Sequence, residues 1–135
     1  MINALRTILI KTFIILSALV LQMPISGFAN ASDISQRELM QRLDMNEVPV
    51  IIDVRKPDEF ATGHVPGARN IPHGDMDARL DELRGHEHEE VIVYCESGRR
   101  ASIAQKVLEQ SGFTKVRHLE GDMKSWRKIG LPQVE

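Results

Sequence analysis

The stretch VIVYCESGRRASIAQKVLEQSG, Val91 to Gly112, decides the fold. Val91 to Tyr94 form an unbroken apolar run rich in β-branched residues, which reads as a strand buried on both faces. The run ends in Cys95, the single cysteine of the chain. Glu96, Ser97 and Gly98 make a turn, and the spacing predicts a helix over Arg99 to Ser111, stopped by Gly112. Ile103, Ala104, Val107 and Leu108 are predicted to share its buried face. A strand feeding a tight loop and a helix is half of a crossover unit, so a parallel sheet is expected.

The flanking sequence repeats the alternation. Ser35 followed by Glu38 is a capping box that opens a predicted helix over Gln36 to Leu43. VPVIIDV, Val48 to Val54, is a second doubly buried strand. Lys56 to Pro72 holds two glycines and three prolines and reads as loop, with one helical turn around Glu59 and Phe60. Met76, Leu80 and Leu83 lie at helical spacing before Gly85. HEHEE, residues 86–90, is a polar connection. KVRHL, Lys115 to Leu119, is a short strand, and DMKSWRKIG, Asp122 to Gly130, a final helix. Met76, Met123 and Ile129 are expected in the core, and His64 and Trp126 are expected to pack or hydrogen-bond within the fold. The fold class is therefore α/β: a parallel sheet with helices on both faces. In such sheets sites form beyond the carboxyl ends of the strands. Cys95 follows one strand, and Asp53 and Arg55 close another.

A chain of 135 residues is expected to hold one folded domain. Arg6 and Lys11, the apolar run Phe13 to Leu21, then Pro24, Gly27 and the small residues Ala29 to Ala31 follow the layout of a signal peptide. Residues 1–31 are assigned to it, with cleavage after Ala31 and the periplasm as destination. The alternative is an uncleaved anchor, since the uncharged run from Thr12 to Ser32 is long enough to span a bilayer. Cleavage leaves residues 32–135 with 15 basic and 19 acidic side chains, a net charge of −4. Nothing in that balance calls for nucleic acid or an anionic membrane surface, and no stable membrane association is expected after cleavage. One cysteine cannot close an internal disulfide. It is a free thiol or one paired between molecules, and a buried structural cysteine is the plain alternative.

The neighbours of Cys95 favour chemistry. The first backbone N–H groups of a helix lack intrahelical partners, and a turn through Gly98 can aim successive N–H groups inward as an anion nest. The helix dipole adds positive potential there. These features favour thiolate over thiol, and Arg99 and Arg100 suit an anionic substrate. A dithiol cycle within one chain is excluded. A Cys–His hydrolase would need His64, His73 or His118 beside the thiol, and no spacing places them there. A cysteine phosphatase loop would carry arginine where this chain has Ala101. Transfer of a single sulfur atom through a cysteine persulfide fits best and needs no cofactor. His86 and His88 form a His-x-His pair, read with Glu87, Glu89 and Glu90 as a solvated connection rather than a metal site.

CESGRR, Cys95 to Arg100, resembles the active-site loop of the single-domain rhodaneses, a family of sulfurtransferases with the pattern Cys-x-x-Gly-x-Arg. IIDVR (Ile51 to Arg55) resembles that family's Asp-Val-Arg strand end. EFATGHVPGARNIP (Glu59 to Pro72) resembles its GHIPGAxNIP segment. LEGDMKSW (Leu119 to Trp126) resembles its GGxxxW segment, with Asp122 replacing the second glycine. The resemblance covers about residues 34–132, and the exported minimal form is similar to periplasmic rhodaneses of bacteria. It implies a rhodanese-like domain with about five strands. It makes Cys95 the persulfide-forming nucleophile and the N–H groups of Glu96, Ser97, Gly98, Arg99 and Arg100 the cradle. Arg100 would orient the loop and an anionic donor, Asp53 and Arg55 would brace the loop, and Glu59 would pair with Arg55. Asp122 would alter a turn. Glu96, an acid beside the thiolate, either points outward or shifts preference away from thiosulfate. The implied function moves sulfane sulfur from thiosulfate or a persulfide donor to cyanide or a thiol. One alternative is a non-enzymatic carrier delivering sulfur to a partner protein, and another is an inactive domain used for protein contacts.

Overall fold

The computed structural model describes residues 33–135. The assignment of residues 1–31 to a signal peptide lies outside them. Helix α1 spans Gln36–Asp44, β1 Val50–Asp53, α2 Pro57–Ala61 and β2 Arg69–Asn70. Two 3-10 segments, His73–Asp75 and Asp77–Leu83, follow. Then come β3 Glu90–Tyr94, α3 Arg99–Gln110, β4 Lys115–His118 and α4 Asp122–Lys128. The four strands form one parallel sheet in the order β2-β1-β3-β4. The fifth strand implied above is reduced to one parallel bridge between Ile34 and Leu119.

Successive strand residues point to opposite faces, and both faces are covered. On one, Ile52, Val91 and Val93 pack with Ala101, Ala104 and Leu108 of α3 and with Met76 and Leu83. On the other, Ile51, Ile92 and Tyr94 pack with Leu39 of α1 and with Met123 and Trp126 of α4. This explains why the central strands β1 and β3 read as apolar runs: both of their faces are covered. At roughly 25 cal/mol per Å² of apolar surface removed from water, these two layers supply most of the drive to fold.

Several expectations are corrected. Ile103 is 45% exposed, because the buried stripe of α3 is Ala101, Ala104 and Leu108 and a residue one place off a stripe is turned by about 100°. Ile129 is 61% exposed: α4 ends at Lys128 and the chain turns away at Gly130, φ +73°. The Met76–Leu83 region is 3-10 rather than α, and the three-residue spacing of Leu80 and Leu83 suits the tighter winding. Half of the capping box forms. Ser35 Oγ accepts the Glu38 N–H at 3.1 Å, whereas the Glu38 carboxylate accepts from Arg117. Within the segment read as loop, β2 pairs Arg69 with Ile52 and Asn70 with Asp53. The predicted helical turn there is α2, opened by Pro57 at a position where its missing N–H costs nothing.

Candidate functional site

Strands β1 and β3 are neighbours, and Asp53 pairs in register with Tyr94. Their carboxyl ends therefore bring Asp53, Arg55 and Cys95 to one edge of the sheet. The turn after β3 closes at Gly98, whose φ of +100° lies in the left-handed region open to glycine. This folds the Gly98 N–H back onto Cys95 Sγ at 3.0 Å. Cys95 is 1% exposed and unpaired with any other cysteine. Helix α3 starts at the next residue, and its first N–H groups, from Arg99 to Ala101, have no helical carbonyl to bond. Of the expected cradle, Gly98 thus bonds the sulfur directly. Ser97 and Arg99 are exposed.

Arg100 is half-buried and its fork is engaged. Nη1 donates to Glu59 Oε2 at 2.6 Å and Nη2 to Oε1 at 2.9 Å. The Arg100 hydrogen bond holds the Glu59 carboxyl down at about 2, against the opposing effect of burial and with help from the Lys56 N–H. In return Glu59, and more weakly Cys95, push Arg100 further up its already basic range. The expected Glu59–Arg55 pair is therefore corrected: Glu59 lies on α2, which faces the start of α3.

Arg55 is instead locked to Asp53. Its Nε lies 3.0 Å from both Asp53 oxygens, Nη2 donates to Oδ2 at 2.6 Å, and its own N–H donates to Oδ1 at 2.9 Å. Nη2 also donates to the Gly63 carbonyl at 2.8 Å. Burial alone would lower the Arg55 pKa, but the Asp53 hydrogen bonds and charge raise it above its ordinary value. The guanidinium sits 6.0 Å over the Tyr94 ring. Burial, with Asp53 nearby, pushes the Tyr94 hydroxyl up in turn, and the hydroxyl oxygen accepts the Val65 N–H. Arg55 does reach the loop, with Nη1 3.9 Å from Glu96 Oε2. The other Glu96 oxygen pairs with Arg127 of α4. The Glu96 charge is thus answered by two arginines and turned toward α4.

Sequence reasoning treated Asp122 as a matter of turn geometry, and the structure gives it more. Its carboxylate Oδ1 accepts the Cys95 N–H at 2.8 Å, and His118 Nε2 lies 3.0 and 3.1 Å from its two oxygens. That hydrogen bond, with the Asp122 and Asp33 charges, raises the His118 pKa against burial. The available signal was an acid in a glycine position, at φ +52°. Of the histidines weighed above, His118 is thus brought against the loop, through Asp122. His64 donates from Nδ1 to the Phe60 carbonyl and stacks on Phe60 at 3.5 Å. His86 pairs with Glu89, and His88 Nδ1 lies 3.5 Å from Thr114 Oγ1. Among the described residues no cluster of His, Cys, Asp or Glu is arranged to hold a metal, and no helix is long and apolar enough to cross a membrane.

The profile of the rhodanese-like domain matches residues 35–129. A sulfurtransferase of Allochromatium vinosum is 34% identical over 103 residues, covering 76% of this chain and 94% of its own length. The putative sulfur carrier protein YrkF of Bacillus subtilis is 35% identical over 94 residues, covering 70% of this chain. This chain spans about half (50%) of YrkF. Thiosulfate sulfurtransferase 16, chloroplastic, of Arabidopsis thaliana is 36% identical over 91 residues, covering 60% of this chain and 76% of its own. Among solved structures, a rhodanese-related protein of Thermoplasma volcanium superposes with a TM-score of 0.66 at 26% identity, covering 76% of this chain and 97% of that one. The human single-domain sulfurtransferase TSTD1 gives 0.64 at 26%, covering 73% and 97%. With the parallel sheet, the strand-end cysteine and the matched segment in agreement, the chain belongs to the rhodanese-like domain family.

Proposed function

We propose that this chain is a sulfurtransferase whose nucleophile is Cys95. The observation that carries the reading is the Gly98 N–H held 3.0 Å from Sγ at the open end of a helix. A donor directed at that point stabilises negative charge on sulfur, whether thiolate or persulfide. In the first half-reaction the Cys95 thiolate attacks the sulfane sulfur of thiosulfate. An S–S bond forms to Cys95, the S–S bond of thiosulfate breaks, and sulfite leaves with the electron pair. In the second half-reaction cyanide attacks the outer sulfur. A C–S bond forms, the persulfide bond breaks, and thiocyanate leaves as the Cys95 thiolate returns. Asp53 and Arg55 brace the loop from below. The protein is exported, with residues 1–31 removed, and burial of Sγ shields the thiol in an oxidising compartment.

A second reading is favoured by one specific observation. Arg100 is already engaged by Glu59, so an anionic small molecule must compete for it. This suits a carrier that receives sulfur from, and delivers it to, partner proteins, and the similarity to YrkF agrees.

Intact mass of the purified protein, taken after thiosulfate and again after cyanide, tests both. A gain of one sulfur atom that cyanide removes, with thiocyanate released and no gain in Cys95→Ser, supports the enzyme. A gain that cyanide leaves in place supports the carrier. Thiocyanate production by Cys95→Ser, which has no thiol left, would refute the mechanism.

A further inference from the structure

Asp122 is 3% exposed and sits at φ +52°, a backbone region that costs most side chains about 1–2 kcal/mol and that aspartate tolerates better than most. A residue kept there is held by its surroundings. Gln36 Nε2 donates to the Asp122 carbonyl at 3.0 Å and to the Glu120 carbonyl at 2.9 Å, which fixes the turn. From this turn α4 grips the loop in three places. The Asp122 carboxylate accepts the Cys95 N–H at 2.8 Å. The Met123 N–H donates to the Cys95 carbonyl, and the Lys124 N–H to the Glu96 carbonyl, both at 3.1 Å. Both main-chain polar groups of Cys95 are thus bonded to α4. The far end of the loop rests on the same support: a methyl added at Gly98 would lie 3.1 Å from Asp122 Oδ2 and 3.2 Å from His118 Cε1.

We propose that Asp122, clamped by His118, is a positioning residue for Cys95, fixing the main chain of the nucleophile so that Sγ meets the Gly98 N–H. Holding the Cys95 N–H sets the plane of the peptide before it, and with the carbonyl fixed as well, the direction of the Cα–Cβ bond follows. Oδ2 backs Gly98 while Oδ1 holds Cys95, so one carboxylate sets the spacing between sulfur and its donor. A carboxylate this near a thiolate would oppose it. His118 answers that charge, with Asp122 from α4 and Asp33 from the segment before α1 around it. The inference rests on Cys95 being the nucleophile proposed above.

The test uses the full chain and the variants Asp122→Gly, Asp122→Asn, His118→Phe and His118→Gln. Three quantities are read: hydrogen exchange at the Cys95 amide, single-turnover persulfide formation from thiosulfate, and the melting temperature. Asp122→Gly relieves the left-handed backbone but removes the acceptor. Its melting temperature stays close to the parent, while Cys95 amide protection falls about tenfold, the scale of a lost bond to a charged group. Its maximal persulfide rate falls about tenfold with the half-saturating thiosulfate concentration unchanged, as for a misplaced nucleophile. Asp122→Asn keeps an acceptor oxygen and a side chain suited to positive φ, and it retains both within about threefold. His118→Phe weakens both, and His118→Gln, which still donates, restores them. Wild-type protection of the Cys95 amide in Asp122→Gly, or losses as large in Asp122→Asn, would overturn the inference. A parent protein that forms no persulfide would instead remove the functional reading, and the exchange measurement would still decide the anchor.

Discussion

Replacing Glu59 by glutamine separates what the Glu59–Arg100 pair does for the fold from what it does for the site. The glutamine keeps size and one acceptor oxygen but loses the charge. Arg100 draws the Glu59 carboxyl from its ordinary 4.5 to about 2, a gap of about 3 kcal/mol in gross interaction at 1.36 kcal/mol per pKa step. The two side chains retain 24% and 31% of their exposure, so water screens part of that, and a net loss of about 1–2 kcal/mol at neutral pH is expected. The sign follows from the direction of the shift. A carboxyl with a depressed folded value contributes fully above 4.5, and the contribution drains away as pH falls toward about 2. Urea unfolding of both proteins at neutral pH and at about pH 3 should show the gap narrowing on acidification. Freed from Glu59, Arg100 should also lower the half-saturating concentration of thiosulfate. Equal stability at neutral pH, or a gap that does not narrow in acid, would refute the reasoning.

Gly98→Ala should cost about 1–3 kcal/mol and slow persulfide formation, because at φ +100° the new methyl meets Asp122 and His118, both held in place; an unchanged melting temperature would contradict this. Arg55→Met should destabilise by about 3–5 kcal/mol in urea unfolding, since it leaves buried Asp53 unpaired; the double variant Asp53→Asn, Arg55→Met should recover most of the loss. His118 has a raised pKa, so its pair with Asp122 stabilises fully below 6.5 and fades as pH climbs through the raised value. Wild type should accordingly lose urea resistance over that range relative to His118→Gln, and parallel curves would refute the assignment.

The sheet was legible because burial on both faces leaves a mark that needs no tertiary information: Val91 to Tyr94 and Val50 to Asp53 are apolar or β-branched almost throughout. The place of Cys95 followed, since a strand that ends before a helix puts the next residue at the sheet edge. What stayed hidden depends on which charged groups the fold brings together. Arg55 and Arg100 both had carboxylates within reach on paper, and only the packing of α2 against α3 assigns Glu59 to Arg100 and leaves Asp53 to Arg55. β2 escaped notice because two residues among prolines and glycines carry no periodicity. Ile103 was misplaced because apolar character alone does not choose between adjacent faces of a helix, and the small Ala101 and Ala104 permit the closer approach to the sheet. His118 was named as a candidate without any spacing to place it. Its link to the loop runs through Asp122, a residue whose departure from glycine was visible although its contact was not.

The grip of α4 on Cys95 has a consequence for the order in which the protein is made. Asp122 lies 27 positions after the cysteine it anchors, and Trp126, which seats α4 in the core, comes later still. A chain that emerges from the ribosome, or is threaded through a membrane, amino end first presents Cys95 well before its anchor exists. Until residues 122–126 arrive, the loop lacks the three hydrogen bonds that Asp122, Met123 and Lys124 make to the main chain of Cys95 and Glu96. Completion of the hydrogen bonds around Cys95 during synthesis therefore waits for the final helix rather than for the strand that carries the thiol.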